Sequence, residues 1–332
     1  MVLYLFIILH LSDSIVCNPY QCAPAEFKMP SNFCSVSYNN TFFLAPCDTS
    51  HYCEIPTGQC QKIPSNLPQP QYPGEPCTKS SDCTTNSCVQ SICKGLSSNS
   101  TCLSHEECDP GLRCYKESCQ KQLDVTDMNC FNDFDCINSA GCNLPQWSMT
   151  GTCTAYFSVP VGQLVSDCIE GVSYLCKSSE CKKIGKFGNF GYCKASFISV
   201  KPSPVKCTSS NDCKGTDGLI EDLSDCICGY NSAGNAYCEV FSGDLPALEY
   251  FETWQKALVQ SLGRCNTVRR FEKDCLLAVG KFNEVLRATW KYQYYPLVQN
   301  NDQCVKEMIT YEAYTFDSMG LVLMIYSLTI VI

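Results

Sequence analysis

Apolar residues are spread very unevenly along this chain. Met1 to Leu11 form an almost unbroken apolar run that stops at Ser12-Asp13-Ser14. From Cys17 to Gly243 no stretch holds a helical or an alternating period for long. Cysteines alternate there with short polar segments, so the elements expected are small hairpins and loops. After Gly243 the texture changes. Leu248, Phe251, Trp254, Leu258 and Leu262 recur at helical spacing, with Asp244 placed to cap, Pro246 in the first turn and Gly263 as a stop. A second stripe holds Val268, Phe271, Cys275, Ala278, Phe282, Val285 and Thr289 and ends before Pro296. A third holds Cys304, Met308, Tyr311 and Thr315. These predict a helical hairpin or three-helix cap over 244–317, with the aromatic stripe as core rather than ligand groove. Cys275 and Cys304 both fall on apolar stripes, so a bridge between them is the expected pairing.

The two ends read as export signals. The first run has the length of a signal-peptide core and is too short to span a bilayer. Cleavage after Ser14 or after Cys17 fits, giving a signal peptide within 1–17. Residues 319–332 are uncharged and apolar to the last residue. That fits a GPI-attachment signal better than a spanning helix, which needs about 20 residues. The hydrophobic tail 318–332 is therefore expected to serve as a GPI signal or a short membrane anchor.

The chain has 30 cysteines, and all but three lie between Cys17 and Cys238. A reducing cytosol would leave such a chain full of exposed thiols, so an oxidising compartment and disulfides are expected. Zinc is the rival use. No C-x2-C pair occurs, and the only histidines are His10, His51 and His105, so no metal site is assigned.

The cysteines repeat. Cys77, Cys83, Cys88 and Cys93 (unit two) are followed by Cys102, Cys108, Cys114 and Cys119 (unit three), then by Cys130, Cys136, Cys142 and Cys153 (unit four). Looser versions follow at Cys168, Cys176, Cys181 and Cys193 (unit five) and at Cys207, Cys213, Cys226 or Cys228, and Cys238 (unit six). Cys34, Cys47, Cys53 and Cys60 make an N-terminal version (unit one). An acidic residue precedes the second cysteine four times, at Asp82, Glu107, Asp135 and Asp212. One acid per unit is too few for a calcium site, so an Asx-type turn that satisfies backbone N–H groups near the second cysteine is expected. Each unit is too small for a core of its own and reads as one or two hairpins clipped by two disulfides. Four cysteines allow three pairings, and spacing does not choose among them.

The run Cys102-Leu-Ser-His-Glu-Glu-Cys-Asp-Pro-Gly-Leu-Arg-Cys-Tyr-Lys-Glu-Ser-Cys119 resembles the Dickkopf N-terminal cysteine-rich module and related EB-type modules, as used in ciliate cysteine-rich surface proteins. The resemblance covers roughly 34–238 and implies a disulfide module rather than one function. Receptor blocking by Dickkopf proteins is associated with a different cysteine-rich domain that nothing here matches, so Wnt antagonism is not carried over.

The fold class expected is thus small disulfide-rich modules in tandem, built of short β-hairpins and loops, followed by a C-terminal α-helical segment. The N-terminal unit occupies 18–63, a proline-rich linker 64–76 and the tandem repeats 77–243. Proline in 64–73, and again at Lys201-Pro-Ser-Pro204, suggests stiff spacers and beads on a rod. Sequons at Asn39 and Asn99 are candidate glycosylation sites in loops.

Charge and chemistry add little beyond this. A formal charge of −9 argues against a nucleic-acid partner. The segment after Gly263 carries Arg264, Arg269, Arg270, Lys273, Lys281, Arg287 and Lys291. It reads as a solvated face, or as one that meets anionic glycans, lipid headgroups or acidic repeats. No G-x-S-x-G, H-E-x-x-H, P-loop or G-x-G-x-x-G is present, so neither catalysis nor a cofactor is expected. The expected role is a non-enzymatic coat, adhesion or binding protein at the cell surface. It would meet an extracellular protein or glycan and reach the membrane through its tail. A secreted Dickkopf-like ligand and a protease inhibitor are the alternatives.

Overall fold

A computed structural model describes residues 15–293, apart from 49–50, 55–56, 63–69, 147 and 186–187. The N-terminal apolar run, residues 64–69 of the proline-rich linker, the third helical stripe with Cys304 and the apolar tail lie outside the described residues.

Six units share one disulfide plan. The first cysteine bonds the third and the second bonds the fourth. The pairs are Cys34–Cys53 with Cys47–Cys60, Cys77–Cys88 with Cys83–Cys93, and Cys102–Cys114 with Cys108–Cys119. Units four to six follow with Cys130–Cys142 and Cys136–Cys153, Cys168–Cys181 and Cys176–Cys193, and Cys207–Cys226 and Cys213–Cys238. The third and fourth cysteines always face each other across an antiparallel hairpin, as Cys114 faces Cys119 and Cys142 faces Cys153. Opposed residues point to the same face, so each hairpin presents two sulfurs side by side to the two cysteines that precede it. The cystines are themselves the core: in unit two the buried cluster consists of Cys77, Cys83 and Cys93. Among the described residues no cysteine is free.

A residue ahead of a unit also hooks onto it. Gln71, Leu96, Leu123 and Val159 form parallel bridges with Cys83, Cys108, Cys136 and Cys176, the second cysteines of units two to five. The Leu96 N–H donates to the Glu107 carbonyl, and the Asp109 N–H donates to the Leu96 carbonyl. Successive units therefore keep a fixed register.

The helical segment begins with α1, Leu245–Gln260, followed by α2, Lys273–Ala278, and α3, Phe282–Gln293. The expected second helix is broken in two, because Gly280 takes a left-handed φ of 69° directly after α2. Cys275 does not await Cys304: it bonds Cys265. Cys265 sits in the turn after α1, off any periodic stripe, so pattern alone passed over it. The buried face of α1 is Ala247, Tyr250, Phe251, Trp254, Ala257 and Leu258, whereas Leu248 and Leu262 are exposed. Asp244 does not cap α1 with its side chain. Its carboxylate accepts from the N–H and hydroxyl of Ser199 and from the Phe241 N–H, tying unit six to the helix start.

The units do not string out as beads on a rod. The main apolar core joins Tyr156, Phe157, Val165 and Leu175, around unit five, to α1 and to Val285 and Ala288 of α3. The N-terminal segment closes the assembly: Cys17 bonds Cys228, 211 residues away, and strand Tyr20–Cys22 pairs in parallel with Thr41–Leu44 of unit one. Cys226 is therefore the third cysteine of unit six. Cleavage after Cys17 would orphan Cys228, whereas cleavage after Ser14 leaves the bridge whole.

Candidate interaction surface

The recurring acid belongs to a short 3-10 turn ahead of the second cysteine. The Asp82 carboxylate accepts from the Thr78 hydroxyl and from the N–H groups of Thr78 and Lys79. Asp212 does the same with Thr208 and Ser209, Glu107 accepts from the Leu103 N–H, and Asp135 from the Phe131 N–H. The groups satisfied thus follow the first cysteine rather than flank the second. Hydrogen bonds from Thr78 hold the Asp82 carboxyl below the usual carboxylate range, and those from Thr208 act likewise on Asp212.

The carbonyl ends of these turns are where the helical segment docks. Asn266 donates from Nδ2 to the carbonyls of His105, Glu106 and Cys108 in unit three. Four residues on, Arg270 donates to the carbonyls of Asp133 (3.0 Å) and Ala140 (3.2 Å) in unit four and to the Tyr156 hydroxyl (2.8 Å). Between them the Thr267 hydroxyl donates to the Phe134 carbonyl. Asn138 of unit four reaches back to the carbonyls of Ser261 and Cys265. Arg269 pairs with Glu75, Glu272 and Asp274 and lies over the Tyr72 ring.

The expected basic face is therefore largely consumed within the molecule. Arg270 is only 1% exposed, Lys281 pairs with Glu284 and Lys291 with Glu249. Burial is possible for Arg269 and Arg270 because carboxylates face the first and carbonyls and a hydroxyl face the second. Beside this junction burial pushes the Asp167 carboxyl up to about 6, against hydrogen bonds from the Ser173 hydroxyl and the Leu175 N–H. Burial also pushes the His105 imidazole down.

Unit six carries a hairpin of strands Lys214–Thr216 and Glu221–Leu223, whose tip shows Leu219 (92% exposed) and Ile220. Asp217 holds that tip by accepting from the N–H groups of Leu219 and Ile220. A cleft of about 920 Å³ lies between the 3-10 turn of unit two and α2, lined by Lys79, Asp82, Asp274 and Leu277 among others. Asn39 and Asn99 are both exposed, with left-handed φ values of 50° and 68°. A turn role suits asparagine at such positions, and the same turns leave both side chains open to a glycan. In unit two the sulfurs of Cys77, Cys83 and Cys93 lie within 4.8 Å of one another. They are bridged, so they present no thiolate to a cation. Among the described residues no helix is long and apolar enough to cross a membrane.

In comparisons with known proteins, no family model, no curated protein and no solved structure matches the chain. Dense disulfide bonding nevertheless marks it as a cysteine-rich protein of the extracellular type.

Proposed function

We propose that this chain is a non-enzymatic, cell-surface binding protein of the coat or adhesion kind, held at the membrane by its apolar tail. The observation that carries the reading is the cystine core of units two, three, four and six, which gives each of them rigidity and resistance to proteolysis without an extended apolar interior of its own. Units of this design, resembling Dickkopf N-terminal and EB-type modules, are scaffolds for loops. The described loops offer surfaces and turn tips, which suits recognition. The outward face of the plasma membrane is the site that a signal peptide and an apolar tail together imply.

The test is made on intact cells expressing the full chain. A phosphatidylinositol-specific phospholipase should release the surface-labelled protein into the medium. Protein that is all in the medium without enzyme treatment would instead favour a secreted, Dickkopf-like binding module with a dispensable tail.

A further inference from the structure

Lysine is concentrated in one stretch of this acidic chain. Residues 171–206 contain Lys177, Lys182, Lys183, Lys186, Lys194, Lys201 and Lys206, and their only acidic residue is Glu180. Glu180 is already engaged, with one oxygen accepting from the Ser242 hydroxyl and the other 3.4 Å from Lys194 Nζ. Lys177, Lys182, Lys183, Lys201 and Lys206 are exposed, and none forms an ion pair with the described residues. They are unlike Arg269 and Arg270, whose charges are matched inside the fold.

The sheet of unit five gives this charge a shape. Strand Gly191–Cys193 lies between Leu164–Val165 and Cys181–Lys183, and Tyr192 sits opposite Lys182 on one side and Leu164 on the other. Opposed residues share a face. Cys181 and Cys193 turn inward and are buried, so Lys182, Tyr192 and Leu164 form a row on the outer face. Tyr192 and Leu164 are each 45% exposed. A flat aromatic ring beside the Lys182 ammonium, in a lysine-rich stretch, suits a ligand with apolar C–H faces and repeated anionic groups.

We infer that the outer face of unit five binds an anionic polysaccharide, with Lys182 meeting its sulfate or carboxylate groups and Tyr192 stacking on a sugar ring, while Lys183, at the end of the same strand, and Lys177, next to the Cys176 that bonds Cys193, add to the local positive field. Lysine-rich patches act on polyanions through local field rather than geometry. A bilayer is the poorer fit. The net charge of −9 would set the rest of the molecule against a wide anionic sheet, whereas a thin chain can touch the patch alone. The inference rests on the proposed binding role and is independent of how the chain is anchored.

The test measures binding of the purified, disulfide-intact full chain to immobilised heparin near neutral pH and about 150 mM salt. The triple variant K177Q/K182Q/K183Q should raise Kd about tenfold or more, while K121Q/K256Q/K281Q, which removes equal charge elsewhere, should change it less than about twofold. Tyr192→Ala should weaken binding about threefold with the salt dependence kept, since it removes no charge. Equal losses in the two triple variants would overturn the site, as would no retention of the wild type at that salt. Tighter binding to phosphatidylserine vesicles than to heparin would also overturn it and assign the patch to lipid. Retention on heparin by a protein that phospholipase does not release would leave this site standing and remove only the anchor.

Discussion

At the residue scale, two buried ionisable groups show how the junction is balanced. Arg270 supplies donors to buried carbonyls of unit four and to the Tyr156 hydroxyl. Arg270→Met would keep much of the volume and strip these buried groups of its donors, leaving to the Asp133 carbonyl only the Cys136 N–H. A loss of about 3–5 kcal/mol is expected, read as a lowered urea midpoint. Asp167 works in the opposite sense. Its pKa near 6 lies above the ordinary value of 3.8, so between these pH values the folded chain holds a proton that the unfolded chain has released. The carboxyl therefore favours folding in acid. That contribution fades as pH rises through about 6, a swing of up to roughly 3 kcal/mol. Asp167→Asn should raise stability at neutral pH and flatten the slope of unfolding free energy between about pH 4 and 6. A slope unchanged by the substitution would mean that another group titrates there.

At the scale of the element, the hairpins are held by their bridges more than by their turns. The tip of the unit-three hairpin places Lys116 and Glu117 at φ values of 48° and 58°, a conformation that asparagine and glycine adopt far more readily. The pair Lys116→Asn with Glu117→Gly should stabilise the chain by about 1 kcal/mol, measured as a rise in thermal midpoint. The tips therefore cannot be recognised from turn residues in this unit, and it was the cysteine spacing that made the hairpins legible. The acid before the second cysteine was legible too, since a carboxylate in a short polar loop has few other uses. What stayed hidden was relational. Four cysteines leave the pairing open until the hairpin sets the third opposite the fourth. Arg270 read as part of a solvated face, and Asn266 drew no reading at all, because their partners are main-chain carbonyls more than a hundred residues earlier, and carbonyls have no sequence signature. Asp244 looked like a helix cap for the same reason: its real partner, Ser199, is distant in sequence.

At the scale of the whole molecule, the helical segment converts a row of small units into one body, and the Cys17–Cys228 bridge fastens its N-terminal strand to unit six. Replacing both cysteines with serine should leave units one to six closed and release the segment around 15–19, ahead of the strand Tyr20–Cys22, first. Limited proteolysis would show this as early cleavage ahead of Cys34. The stability lost should fall at or below roughly 3 kcal/mol, because the bridges lying between the two positions already shorten the effective loop. That same bridge imposes an order on biosynthesis. Each unit can close soon after its own fourth cysteine enters the secretory lumen, but Cys17 must wait for 211 further residues. At about 5–20 residues per second this is a delay of roughly 10–40 s. Throughout that time the Cys17 thiol is carried past a succession of nascent cystines, any of which it can attack. Secretion of this protein should therefore depend on thiol-disulfide isomerase, and pulse-labelled intermediates should carry Cys17 in transient mixed disulfides before the native bridge forms.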